Sequence, residues 1–171
     1  REWLQKNIPS KYANDISEAD RLAANGRLPE AQKILQTVLE SEPGNHKALL
    51  FLAKTFLFSD PRKAAMLVRD IQADSRQHDE AESLRTMAEL LEKQKDSLPE
   101  APVKQTYYEA LEDLRQARFA SALEKFVEVI RTDRYYDDDG SRRACIAIFK
   151  FLGEENEITQ KYRREFSRAL Y

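Results

Sequence analysis

Apolar side chains recur along this chain every three or four residues, the spacing of a helix that buries one face. Ile16, Ala19, Leu22 and Ala23 share one face, then Ala31, Ile34, Leu35, Val38 and Leu39. Further stripes run through Leu49, Leu52, Ala53 and Phe56, through Ala64, Leu67, Val68 and Ile71, and through Ala81, Leu84, Met87, Ala88 and Leu91. Four more are centred on Tyr107 to Leu114, Ala122 to Ile130, Ala144 to Leu152 and Ile158 to Leu170. Turn-forming residues separate them at Gly26, Pro43-Gly44, Asp60-Pro61, Pro99 to Pro102, Asp137 to Gly140, and Gly153. No segment alternates apolar and polar residues as a half-buried strand would. The pattern predicts an all-α chain of about nine helices with no sheet.

The stripes repeat. The first unit runs Ala19, Gly26, Leu28, Ala31, Leu35, Leu39, Pro43. A shift of 34 residues brings Ala53 onto Ala19, and Ala64, Val68 and Ile71 follow with a turn one residue short. A shift of 91 brings Ala110, Ala117, Phe119, Ala122, Phe126 and Ile130 onto the same spacing. Helical hairpins of about 34 residues are the period of tetratricopeptide repeats. Their small residues sit where two helices cross closely, and large ones fill the gap to the next pair. Two periods would place the third alanine at 87, but it lies at 110. The extra residues hold a lone helix near His78 to Gln94 and a proline-bounded segment. The expected organisation is therefore repeats plus an extra helix over 14–94, a linker or hinge over 95–102, and further repeats over 103–171.

Composition narrows the function classes. Charged residues make up 34%, and 28 bases against 30 acids leave a net charge of −2. Such balance gives no global field for nucleic acid or an anionic membrane. No apolar run approaches the roughly 20 residues of a membrane span. A single cysteine forms no internal disulfide, which fits a reducing, cytoplasmic setting. The start at Arg1 without Met reads as a piece of a longer chain.

No chemistry stands out. Asp137-Asp138-Asp139-Gly140 suggests a calcium loop, but the first ligand would be Tyr135 and the closing acid Ile146. Asp138 or Asp139 is expected instead to cap the following helix, where acids suit the dipole. Cys145, among Ala144, Ile148, Phe149 and Leu152, reads as a small core residue. His46 and His78 lack a second metal ligand at useful spacing and are expected to be solvated. With no nucleophile–base set and no phosphate loop, no catalytic, metal or cofactor residue is assigned, and the chain is expected not to be an enzyme.

Binding is the remaining class. The concave face of such an array is expected at the outward positions of the first helix of each pair: Asp20, Lys47, Leu50, Lys54, Lys104 and Leu111. A general scaffold would hold one peptide partner in that groove. A second candidate is the C-terminal helix. Its stripe ends in Phe166, Leu170 and Tyr171 beside Arg163, Arg164 and Arg168, a hot-spot composition. Ile158 and Tyr162 are expected to close the core, with the last turn extending past it.

Two runs carry a more specific likeness. Arg21 to Ala31 is a repeat turn shared by many families. The tail Asp137-Asp138-Asp139-Gly140-Ser141-Arg142-Arg143, then Ile148 to Gly153, then Tyr162-Arg163-Arg164-Glu165-Phe166 and Ala169-Leu170-Tyr171 resembles the end of the YbbN/CnoX family. These are thioredoxin-domain co-chaperones, the chaperedoxins. The resemblance covers about Asp15 to Tyr171, and residues 1–13, with Glu2 to Pro9, then correspond to the exit from the thioredoxin domain. It implies a holdase that binds unfolded client proteins and passes them to the chaperonin and Hsp70 systems. It also implies that the C-terminal helix docks the chaperonin. The thioredoxin domain is missing from this sequence, so no residue here inherits its redox role.

The repeat reading is testable at its close crossings. Ala31→Leu or Ala122→Leu should overpack a crossing and cost about 1–3 kcal/mol. Thermal melts that overlay the parent would place these alanines elsewhere.

Overall fold

The computed structural model describes residues 11–171; the proposed domain exit at Glu2 to Pro9 lies outside them. Among the described residues there are nine α-helices and no strand. In order they are α1 (Ala13–Ala24), α2 (Leu28–Ser41), α3 (His46–Phe56), α4 (Pro61–Val68), α5 (His78–Glu92), α6 (Lys104–Arg115), α7 (Phe119–Thr132), α8 (Tyr136–Leu152) and α9 (Glu157–Leu170). One 3₁₀ turn, Lys95–Ser97, lies between α5 and α6. Local chemistry sets several boundaries. Asn45 Oδ1 accepts from the Ala48 amide at 3.0 Å, and Asp60 Oδ1 from the Lys63 amide at 3.0 Å. Pro61 opens α4, where its missing N–H is no loss.

The repeat alignment is visible in backbone geometry. At the end of α1 the Arg27 amide donates to Leu22 O at 2.9 Å and the Gly26 amide to Ala23 O at 3.0 Å. At the end of α6 the Arg118 amide donates to Asp113 O at 2.8 Å and the Ala117 amide to Leu114 O at 2.9 Å. Both are the same reversed helix stop, which requires a left-handed residue. Gly26 supplies it at φ 77°, Ala117 at φ 53°. Ala19, Ala31, Ala53, Ala64, Ala110 and Ala122 are all fully buried, as close crossings demand.

The helices pack as hairpins in part. The pairs α1/α2, α3/α4 and α6/α7 are antiparallel neighbours, and α2 also meets α3. Helix α5 has no hairpin partner. It packs on α4 and, across 43 intervening residues (93–135), on α8. Helix α9 packs mainly on α7 and only lightly on α8. Two cores result. The smaller runs from Ile16 to Leu52, and the larger from Leu50 to Tyr162, with α3 as their shared wall.

That packing removes the reason for expecting a hinge at 95–102, namely few contacts across it. Leu98 and Val103 are buried in the larger core. The Arg115 guanidinium donates to Leu91 O at 3.0 Å and to Lys93 O, and the Tyr136 hydroxyl to Pro99 O at 2.7 Å. Arg143 and Glu89 form a 2.6 Å ion pair between α8 and α5. The physical cause is the unpartnered apolar face of α5, which α8 covers.

The α8 entry is the most constrained point. Tyr107 is fully buried, edge-on to Phe126 and Tyr136 at 5.6 and 5.2 Å between ring centres. Its hydroxyl donates to Asp137 Oδ2 at 2.8 Å, and Lys93 Nζ reaches the same oxygen at 2.8 Å. Burial first, then the adjacent Asp137 carboxylate, push the Tyr107 phenol well above its usual range. A Cβ on Gly140 would lie 2.3 Å from the Tyr107 oxygen, so glycine is required there. Asp137, Asp138 and Asp139 all have left-handed φ, at 52°, 55° and 58°. The expected capping role is not what is found: Asp139 pairs with Arg142, and no side chain caps α8. Three left-handed residues carry the chain out of the register a cap needs. His46 and His78 also differ from expectation, since both are half-buried, bonded to Ser75 Oγ at 2.9 Å and Ile71 O at 3.4 Å. Cys145 is wholly buried, and burial pushes its thiol up.

The α6–α7 turn gives two expected outcomes. An L-residue in the left-handed region costs about 1–2 kcal/mol, and glycine's looser unfolded chain offsets about half of that. Ala117→Gly should therefore stabilise by roughly 0.5–1 kcal/mol, and Gly26→Ala should destabilise by a similar amount, by urea titration. Equal signs for the two would break the equivalence of the turns. The second outcome concerns Asp113, which is 4% exposed. Burial raises its pKa, but hydrogen bonds from Lys125, Ser121 and Arg118 outweigh that and lower it to about 2. Its stabilisation, on the order of 2 kcal/mol, is complete above the unfolded value near 4 and lost as pH falls towards 2. Asp113→Asn should flatten the drop in unfolding free energy between about pH 4 and 2; an unchanged slope would refute the linkage.

Candidate protein-binding surface

Of the six positions expected to line a concave groove, four lie at the surface and two in the core. Asp20 and Lys47 are exposed on α1 and α3. Lys54 is half-buried and paired with Glu80 at 3.0 Å, and Lys104 with Glu100 at 2.5 Å. Leu50 and Leu111 are 2% and 0% exposed, inside the larger core, and are corrected from surface to core positions. The surface position on α3 is Phe51, half-buried, with the Lys47 and Lys54 ammonium groups 5.9 and 5.2 Å from its ring centre. The i, i+4 and i, i+3 spacing of these lysines about Phe51 was the available signal.

The C-terminal set comes together. Helix α9 packs more on α7 than on α8, and an open groove of about 380 Å³ lies between α8 and α9. Its floor is Ile146, Phe149, Phe166 and Leu170, with Phe149 and Phe166 edge-on at 5.6 Å. Lys150 and Glu154 form the α8 rim, Arg163, Ser167 and Tyr171 the α9 rim. Arg163 is tied to Glu154 at 2.6 Å and lies 5.6 Å from the Phe149 ring centre. Of the six residues expected here, Arg163, Phe166, Leu170 and Tyr171 line the groove. Arg164 and Arg168 are exposed on the same helix outside it. The last turn does not extend past the core as expected. Phe166, Ala169 and Leu170 pack against it, and Arg134 donates to Leu170 O at 3.2 Å; the Tyr171 side chain stands clear.

Sequence reasoning missed one further apolar feature. Phe58, Phe119 and Phe151 meet with ring centres 5.8–6.0 Å apart, and Phe58 is 39% exposed. Phe58 lies in a turn, and Phe119 and Phe151 lie next to one at helix ends, where helical periodicity is silent.

Against the library of protein families, residues 77–171 match the tetratricopeptide repeat. The chain belongs to the tetratricopeptide repeat family. No curated protein matches it. The matched region runs from α5 through α9, so it contains both the α5–α8 contact and the groove. Tetratricopeptide repeats are protein-binding modules built on helical scaffolds. No helix among the described residues is long and apolar enough to cross a membrane.

Proposed function

We propose that this tetratricopeptide region is the protein-binding part of a cytoplasmic co-chaperone of the chaperedoxin type. It holds unfolding clients and docks the chaperonin and Hsp70 systems, with the α8–α9 groove as the docking surface. The observation that carries the reading is the convergence of Arg163, Phe166, Leu170 and Tyr171 on one open apolar groove. These residues belong to the tail that resembles the chaperedoxins. Aromatic and Arg side chains around a desolvated floor are the usual anchors of protein interfaces. Half-exposed Phe51 and Phe58 add apolar surface suited to unfolded chains. Cys145, buried in the larger core, takes no part.

Purified bacterial chaperonin immobilised for interferometry tests the reading. The chain should bind it, and Tyr171→Ala should weaken binding by about tenfold at an unchanged melting temperature, since Tyr171 is fully exposed. No binding by the parent chain, or parental affinity in the variant, would refute docking at this groove.

A further inference from the structure

The groove has a charge pattern that selects its occupant. Helix α9 carries Lys161, Arg163, Arg164 and Arg168 against Glu157 and Glu165, a basic excess in a chain whose net charge is −2. Arg163 is compensated by Glu154. Arg164 and Arg168 are exposed and make no ion pair among the described residues, and they flank the α9 rim. On the facing rim Lys150 is held only loosely, 3.6 Å from Asp79. The one rim acid, Glu154, is already spent on Arg163. An occupant therefore meets an apolar floor bordered by positive charge.

The groove's length fixes the occupant's shape. Its lining runs from Arg163 to Leu170 on α9, and from Ile146 to Lys150 on α8 with Glu154 just past the end of that helix. At 1.5 Å per residue the α9 wall is about 10 Å long, or two helical turns, and the α8 wall about one turn. Two neighbouring helices form a trough into which the ridge of a third packs, and the two turns of the α9 wall match an apolar stripe at i, i+3, i+4 and i+7. We infer that the α8–α9 groove binds an acidic amphipathic helix of a partner protein, its apolar stripe on Phe149, Phe166 and Leu170 and its carboxylates against Arg164, Arg168 and Lys150. This rests on the protein-binding reading of the same groove and names the partner's chemistry.

Three labelled probes of about 16 residues, long enough to be helical, test it by fluorescence anisotropy with the whole chain. All carry the same leucine stripe. One is flanked by Glu, one by Lys, and one has the Glu flank with a central proline that breaks the helix. The Glu probe should bind about tenfold more tightly than the Lys probe, with a preference that fades as salt rises. The proline probe should bind more weakly than its parent. Arg164→Glu with Arg168→Glu should abolish or reverse the Glu-over-Lys preference while leaving the melting temperature in place. Failure of the Glu probe to bind, equal binding of both charges, or an unchanged preference in the double variant overturns the inference. Parental binding of the proline probe overturns the helical occupant in favour of an extended one. Chaperonin capture measured on the same samples separates the two readings. Capture that persists while the probes fail sinks this inference alone, and probe binding without capture sinks the chaperonin reading alone.

Discussion

The fold depends on how the face of α5 is covered. In a regular array each helix pair is closed by its own hairpin and by its sequence neighbours. Helix α5 lacks a hairpin partner, yet its Ala81, Leu84, Met87, Ala88 and Leu91 are buried. Leaving five such residues wet would cost several kcal/mol at about 25 cal/mol per Å². Helix α8 meets the demand, entering beside α5 through a left-handed turn at Asp137 to Asp139. The junction of Lys93, Tyr107 and Asp137 holds that entry, and Gly140 leaves room for the tyrosine hydroxyl.

The functional surface follows from that choice. With α8 committed to α5 and α7, it is no longer free to close tightly with α9. Helix α9 finds its burial on α7, where Tyr162 is 6% exposed, and its other edge faces α8 across a gap. The groove is thus a consequence of α5 being unpaired. The larger core likewise runs unbroken from Leu50 to Tyr162, so the proline-bounded segment joins two parts of one core. The seam between cores lies in α3, where Leu52 faces one and Leu50 the other.

Much of this was legible in the sequence because it is local. Helical periodicity gave the nine helices, and the 91-residue shift put Ala117 on Gly26, whose stops share the same hydrogen bonds. The six crossing alanines were readable from size and spacing alone. Partner choice was not, since a stripe says which face is buried and not against what. The α5–α8 contact spans too many residues for a repeat period to report, and the premise of few contacts across 95–102 does not hold there. Leu50 and Leu111 were misplaced for a related reason. Each lies beside a half-buried position, Phe51 or Glu112, and a helix with neighbours on both sides buries more of its circumference than a single stripe suggests. The C-terminal set was found because its aromatic and Arg composition marks an interface irrespective of packing.

The groove walls are also anchored independently, and this bears on what the site can do. One wall, α8, is fixed at its entry by the Tyr107–Asp137 bond and along its length by α5. The other, α9, is fixed by α7 and at its end by Arg134 on Leu170 O. The walls touch only lightly, through Phe149 on Phe166 and the Arg163–Glu154 pair, and most of each wall's burial comes from α5 or α7. A site held open in this way loses little conformational freedom on binding, and more of the contact energy appears as affinity. The walls also cannot close far upon a small ligand without giving up contacts with α5 or α7. A trough with an aromatic floor and a two-turn α9 wall is matched by a side-chain ridge of similar length. Selectivity among such ridges then falls to the charges along the rim, where Arg164 and Arg168 remain free of internal partners among the described residues.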